Sequence, residues 1–381
     1  TDPEVRTGWF VFSEPMQPGE RRAGVITSEI DHEGFKDRGH DFTVVENGTF
    51  INNAELLPLF GYQSSLQLVD QHERRKRDLE PVQRAHKLED ESRYTESFFD
   101  RSIDFIDFSA TISTDADQIA MAPGYLEKEW QEDGRRYFRY VMDQPMVNFF
   151  SITSGRFAVL EESHEGVAIE VYYHPEHNWN LQNMVQSTKD SLDYFQAAFG
   201  PYQHKQFRII EFPGYRSFAQ SFANTIPYSE EIGFTADLRD KDNVDYVYYV
   251  TAHEMAHQWW GHQLGAANVQ GSAILSETLS QYSALVVMQQ RYGETALRKF
   301  LTYELDRYLT GRTSELIEEM PLLRAESQAY IHYRKGSVVM MALRHHLGEA
   351  RINAALKALL EEFRYKNCLL YTSPSPRDIT P

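Results

Sequence analysis

His253-Glu254-Met255-Ala256-His257 is the stretch on which the reading of this chain turns, preceded by the apolar run Val247-Tyr248-Tyr249-Val250-Thr251-Ala252. On a helix, residues four apart share a face, one turn above the other. His253 and His257 therefore present two imidazoles to one point. Neutral imidazole is a good zinc ligand, and a catalytic zinc takes three protein ligands and leaves one position open. Glu254 sits between the two and can reach a metal-bound water without occupying the metal, the spacing a zinc hydrolase needs.

Two histidines on a helix are also ordinary surface residues, so a third ligand matters. Downstream lies Leu275-Ser276-Glu277-Thr278-Leu279-Ser280-Gln281-Tyr282, which opens a second amphipathic stretch running to about Tyr292. Glu277, near the N-terminus of that helix, is the expected third ligand of a His, His, Glu site holding one Zn2+.

Composition bounds the rest. The chain has 381 residues, enough for two or three domains, and its 41% hydrophobic and 25% charged residues are those of an ordinary globular protein. A net charge of -18 argues against nucleic acid as a partner, because an acidic surface repels phosphate. No run of about 18 apolar residues is present, and no signal peptide is visible. Both ends look cut. Residues 368–381, Cys368 to Pro381, resemble translated adapter sequence and are set aside as a non-native tail. The sole cysteine then carries no native thiol chemistry.

Residues 1–165 read as mostly β. Gly8 to Phe12 is a short apolar run, Pro15 and Pro18-Gly19 mark a turn, and Arg22 to Ile30 alternates weakly. Residues 71–93 are crowded with charge and read as a solvated, part-helical insertion. Strands are expected at Phe105–Ser113, Arg136–Met142, Asn148–Ser154 and Val167–Tyr173, which suggests a sandwich or a saddle-shaped sheet. Residues 166–367 read as mainly helical. Helices are expected at Leu181–Phe199, about Asp242–Leu264, from Glu277, and at Glu294–Leu309, Tyr333–Leu347 and Ala350–Phe363, with one strand at Phe207–Phe212. Tyr215 to Ser229 reads as irregular. The fold class is therefore α+β, multidomain.

Val250 to Leu285 resembles the catalytic core of the gluzincin aminopeptidases, the family of aminopeptidase N and puromycin-sensitive aminopeptidase. His257-Gln258-Trp259-Trp260-Gly261 is similar to that family's H-Q-W-F-G continuation, and Tyr333-Arg334-Lys335-Gly336 to its Y-x-K-G segment. The resemblance implies a β-sandwich or saddle domain followed by a thermolysin-like zinc peptidase domain, truncated at its C-terminal end. It also implies His253, His257 and Glu277 as zinc ligands, Glu254 as general base and proton shuttle, and Tyr333 as donor to the oxyanion. It is closest to a bacterial branch in which such a domain follows an ABC-type permease, implying a tether to a membrane protein outside this stretch.

Two departures stand out. Nineteen residues separate His257 from Glu277, one more than these aminopeptidases usually have, and the thermolysin spacing. The family's G-x-M-E-N segment, which holds the substrate's free amine, corresponds to Gln220-Ser221-Phe222-Ala223-Asn224, with Ala223 in place of the acid. Gln220, Phe222, Ala223 and Asn224 are the expected substrate contacts, with Glu230 or Glu231 as substitute acids. Three functions are compatible with these residues: a zinc aminopeptidase, a zinc endopeptidase or oligopeptidase without strict N-terminal specificity, and a regulatory peptide-binding domain of a transporter.

Overall fold

The computed structural model describes residues 11–29, 43–58, 67–99, 104–240, 243–315 and 318–368. Residues 1–31 form one unit and residues 32–381 another. Within the first, residues 11–29 hold no strand; a turn at Gln17–Glu20 falls where Pro18-Gly19 predicts one. The strand expected from Arg22 is absent there because its alternating side chains meet no second layer and are exposed. The apolar run at Gly8 to Phe12 lies largely outside the described residues.

The second unit opens with β1 (Thr49–Asn52) and two short helices, α1 (Asn53–Leu56) and α2 (Gln71–Arg75). The α2 stretch and the 3-10 turn at Glu91–Arg93 are the helical parts of the charged insertion. Its far end is anchored: Leu88 and Tyr94 pack on Ala267 and Val269, and the Phe98 amide donates to the Ala266 carbonyl.

Then come β2 (Phe105–Ile106), β3 (Ser109–Asp115), β4 (Ile119–Met121), β5 (Tyr125–Glu132), β6 (Arg135–Val141), β7 (Met146–Val147) and β8 (Ser151–Gly155). They pair as β1-β8-β4, β3-β6-β5 and β2-β7. β4 and β5 have no counterpart in the sequence reading. β4 is only three residues long, and β5, Tyr-Leu-Glu-Lys-Glu-Trp-Gln-Glu, is an outer strand whose charged side chains hide its period.

The chain next forms β9 (Ala158–His164), β10 (Val167–Tyr173), α3 (Leu181–Phe199), β11 (Gln206–Phe212) and β12 (Thr225–Ser229). These strands make a four-stranded sheet, β12-β11-β10-β9, parallel except for the β9–β10 hairpin. Residue 165 lies in the turn of that hairpin, so β9 shares this sheet although it precedes that position. All of β11 is buried: Phe207 and Ile209 face the helices, Ile210 and Phe212 the N-terminal strands.

The irregular reading of Tyr215 to Ser229 does not hold. Besides β12, residues Phe218 to Phe222 run antiparallel to it, with Ala219 opposite Tyr228 and Phe222 opposite Thr225. The Gln220 amide donates to the Pro227 carbonyl and the Ser229 amide to Phe218, at 3.1 and 3.0 Å. The hairpin turns at Ala223-Asn224, where Asn224 adopts φ 51°. Pro227 inside the strand and the lack of an apolar period hide this pairing from a sequence reading.

Helices complete the unit: α4 (Tyr246–Ala256), α5 (Leu279–Thr313), α6 (Gly336–Leu347) and α7 (Glu349–Phe363), with a short bridge of β13 (Gly265–Ala266) to β14 (Asn367–Cys368). α4 is shorter than expected, because the chain turns repeatedly between His257 and Leu264. α5 carries a break at Gly293 (φ 81°), so it comprises the two helices that the sequence places on either side of this residue. Glu277 and Tyr333 each sit in a wide π turn, Ile274–Thr278 and Tyr330–Lys335, that runs directly into the next helix. Such turns are rare and gather at functional sites.

Candidate active site

α4 is buried along its whole length apart from Tyr246, against α3, α5 and the sheet. Asp245 caps it by accepting from the Tyr248 amide at 2.9 Å. This rigid helix fixes His253, Glu254 and His257. His253 Nε2 and His257 Nε2 stand 3.1 Å apart, and Glu277 Oε2 lies 3.4 Å from each. Glu277 Oε2 is buried and makes no hydrogen bond.

Three donor atoms at such spacings have the shape of one face of a coordination tetrahedron. Ligands bound to zinc at 2.0–2.2 Å would lie about 3.3–3.6 Å from one another. The orientation of His257 agrees with this use. Its Nδ1 lies 2.9 Å from the Trp260 carbonyl and 3.1 Å from Ser280 Oγ. Donating Nδ1–H to the carbonyl leaves Nε2 with its lone pair toward the cluster.

The electrostatics of the cluster call for a cation. Burial disfavours charge on Glu277, but the neighbouring imidazoles outweigh it and hold the carboxyl well below its ordinary value. Burial likewise opposes charge on His257, while Glu277 lifts it to about 9. His253 is lowered, chiefly by burial. A single positive charge is thus stabilised among the three groups even without a metal.

Glu254 is buried beside the cluster, and burial pushes its carboxyl up to about 7. The Ser221 amide donates to it and opposes that rise. Tyr333 directs its hydroxyl at Glu277, and burial raises its pKa far above the ordinary value, so it stays protonated. Its ring centroid lies 6.0 Å from that of His253.

Facing these groups is the hairpin of residues 218–229. Gln258, one position beyond His257, holds it with three hydrogen bonds. Its amide nitrogen donates to Ser221 Oγ at 2.7 Å and to the Phe222 carbonyl at 2.8 Å, and its oxygen accepts from the Asn224 amide at 3.0 Å. His262 Nε2 meets the Ser221 carbonyl at 3.1 Å. The sequence marks Gln258 as part of the His257–Gly261 resemblance without giving it a role, and His262 only by its place just after that stretch.

The hairpin carries the four expected substrate contacts, Gln220, Phe222, Ala223 and Asn224. Ala223 packs with Met142, Met146 and Phe150, Phe222 packs with Phe50 and Phe212, and Asn224 Oδ1 accepts from Arg208 at 3.3 Å. These three side chains are buried in the protein interior, and only Gln220 is part-exposed. The side chain that turns toward α4 is Ser221. Glu230 is turned to His177, 4.0 Å away and itself bonded to Glu211, while Glu231 is exposed.

Residues 183–371 match the Peptidase family M1 domain. The chain is similar to human (Homo sapiens) endoplasmic reticulum aminopeptidase 2, 24% identical over 210 residues, which are 53% of this chain and 22% of that protein. It is also similar to aminopeptidase M1-B of Oryza sativa subsp. japonica, 24% identical over 274 residues, 68% of this chain and 31% of that protein. A shorter match, to bovine (Bos taurus) glutamyl aminopeptidase, is 29% identical over 106 residues, 27% of this chain and 11% of that protein. The chain thus spans less than a third of the length of these relatives. His253, His257 and Glu277 all lie within the residues that match the Peptidase family M1 domain.

Proposed function

We propose that this domain is a zinc metallopeptidase of thermolysin-like build that acts as an aminopeptidase. The convergence of His253 Nε2, His257 Nε2 and Glu277 Oε2 carries the reading. Those three residues would hold the zinc. Zinc supplies a water of lowered pKa and polarises the carbonyl of the scissile bond. The remaining work falls to side chains of this chain. Glu254, with a carboxyl poised near neutrality, takes a proton and passes it to the leaving amine. Tyr333, kept protonated by burial, donates to the developing oxyanion. An extended peptide would pair with the outward backbone groups of Ala219, beside Ser221, whose own amide and carbonyl meet Glu254 and His262.

A second reading, an endopeptidase or oligopeptidase, is favoured by one observation. Phe218-Ala219-Gln220-Ser221-Phe222 carries no acid to neutralise a substrate ammonium, and Glu230 is engaged elsewhere. A domain that only binds peptides needs no general base, so Glu254 speaks against a regulatory role. The permease tether rests on whole-stretch resemblance; among the described residues no helix is long and apolar enough to cross a membrane. Zinc content and hydrolysis of matched peptides, free and N-acetylated, test the proposal. One zinc per chain and cleavage of free peptides alone support an aminopeptidase. Equal cleavage of both supports the endopeptidase, and no hydrolysis by the zinc-loaded chain removes both.

A further inference from the structure

Glu304 is a carboxylate with no role in the chemistry above, yet it is fully buried. Its Oε1 accepts from Arg334 at 2.6 Å; its Oε2 lies 3.4 Å from Ser337 Oγ and 3.5 Å from Gln281 Nε2. Burying a carboxylate is costly unless it is paired and hydrogen-bonded, so this arrangement is built for that pair. Arg334 directly follows Tyr333 in the wide turn 330–335. On the other side of Tyr333, the His332 carbonyl accepts from Thr278 Oγ1 at 2.5 Å, and Thr278 directly follows Glu277. Gly336 lets the two turns close up: a Cβ there would stand 2.6 Å from Thr278 Oγ1.

Tyr333 is thus bracketed. One neighbour is tied to the segment of the third ligand, the other to Glu304 on the distal half of α5. A π turn has a widened, irregular bond pattern and persists where outside contacts hold it. We propose that Glu304 and Arg334 are positioning residues for the proposed peptidase reaction: their ion pair sets the height of the wide turn so that the Tyr333 hydroxyl stays aimed at the ligand cluster. The proposal rests on the zinc-peptidase reading, and its test separates the two.

The variant to use removes both charges, Glu304→Gln with Arg334→Met, so that no lone charge is left buried. It is compared with the parent chain for melting temperature, zinc content and steady-state hydrolysis of aminoacyl 4-nitroanilides. The expected result is a kcat lower by about tenfold or more, as for a misplaced catalytic group, with KM and zinc content unchanged. In a Tyr333→Phe background the same pair of changes costs nothing further. A loss that repeats in that background shows a general structural role and overturns the proposal, as does an unchanged kcat. Should the double variant fail to fold, Arg334→Lys, which keeps the charge but shortens the reach, takes its place under the same criteria. If the parent hydrolyses none of the substrates, the peptidase reading fails, and crystal structures of the zinc-loaded parent and variant decide instead. A displaced Tyr333 hydroxyl upholds the positioning role, and an unmoved one removes it.

Discussion

The two walls that meet at Glu254 are made of different material. On one side, His253, His257, Glu277 and Tyr333 form a cluster in which charge is stabilised, tied at its rear by the Arg334–Glu304 ion pair. On the other, the hairpin is gripped next to α4 by neutral groups, Gln258 at its turn and His262 at its backbone, while the Arg208 guanidinium donates to Asn224 and Thr225. Behind Gln258 the same material continues, with Gln203 donating to the Gln258 carbonyl and Gln144 to the Gln203 carbonyl. A charged wall can stabilise a cation and a developing oxyanion. A neutral wall can hold an extended backbone in register without competing for the metal.

Breaking the charged wall should have the largest effect. Glu254→Gln removes the proposed proton carrier while leaving both imidazoles in place. Hydrolysis should fall about 10²–10⁴-fold, with zinc content by elemental analysis unchanged. Retained turnover would show that another group moves the proton. Tyr333→Phe comes next. Its kcat should fall about 10²–10³-fold, as for loss of an oxyanion donor. KM should move little, because the bond forms mainly in the transition state.

The neutral wall should answer differently. Gln258→Ala leaves the buried Asn224 amide without its partner, at a cost of about 1–3 kcal/mol. Urea unfolding should show the loss, and KM should rise more than kcat falls, because the hairpin would drift from α4. If instead kcat collapses with KM fixed, the hairpin is part of the reaction machinery and the contrast between the walls dissolves.

The walls also differed in how well the sequence revealed them. The charged wall follows from helical spacing: a separation of four positions from His253 to His257 fixes their common face whatever the surroundings. Glu277 was legible because it opens an amphipathic run, and Leu181–Phe199 and Val167–Tyr173 because their periods are clean. The Phe218–Phe222 strand was not legible. Its partner contains Pro227, its turn is Ala-Asn, and its position is set by side chains from α4 and the loop after it. Aligning a motif by its Asn placed an acid-shaped gap at Ala223; in the hairpin the Ser221 amide meets Glu254, its hydroxyl meets Gln258, and the Ala223 side chain lies in an apolar cluster.

The smallest effect, and the one that tests the neutral wall as a whole, concerns pH. His204 lies behind Gln258, near Gln144, with Nδ1 3.4 Å from its amide nitrogen and its ring against Tyr202. Burial pushes its pKa from the ordinary 6.5 down to about 3, with His262 and Arg208 adding to the fall. The folded protein therefore keeps this imidazole neutral while the unfolded chain takes up a proton below pH 6.5. Its contribution is fully present above the unfolded value and is lost as pH falls toward the folded one. The slope is about 1.4 kcal/mol per pH unit within that window, so acidification from pH 7 to 5 should cost about 2 kcal/mol through this residue alone. Urea unfolding at the two pH values measures it, and His204→Gln, neutral at both, should remove that share of the difference. An unchanged pH difference in the variant would mean that His204 is accessible to protons in the folded state, and that the wall behind the hairpin is wet.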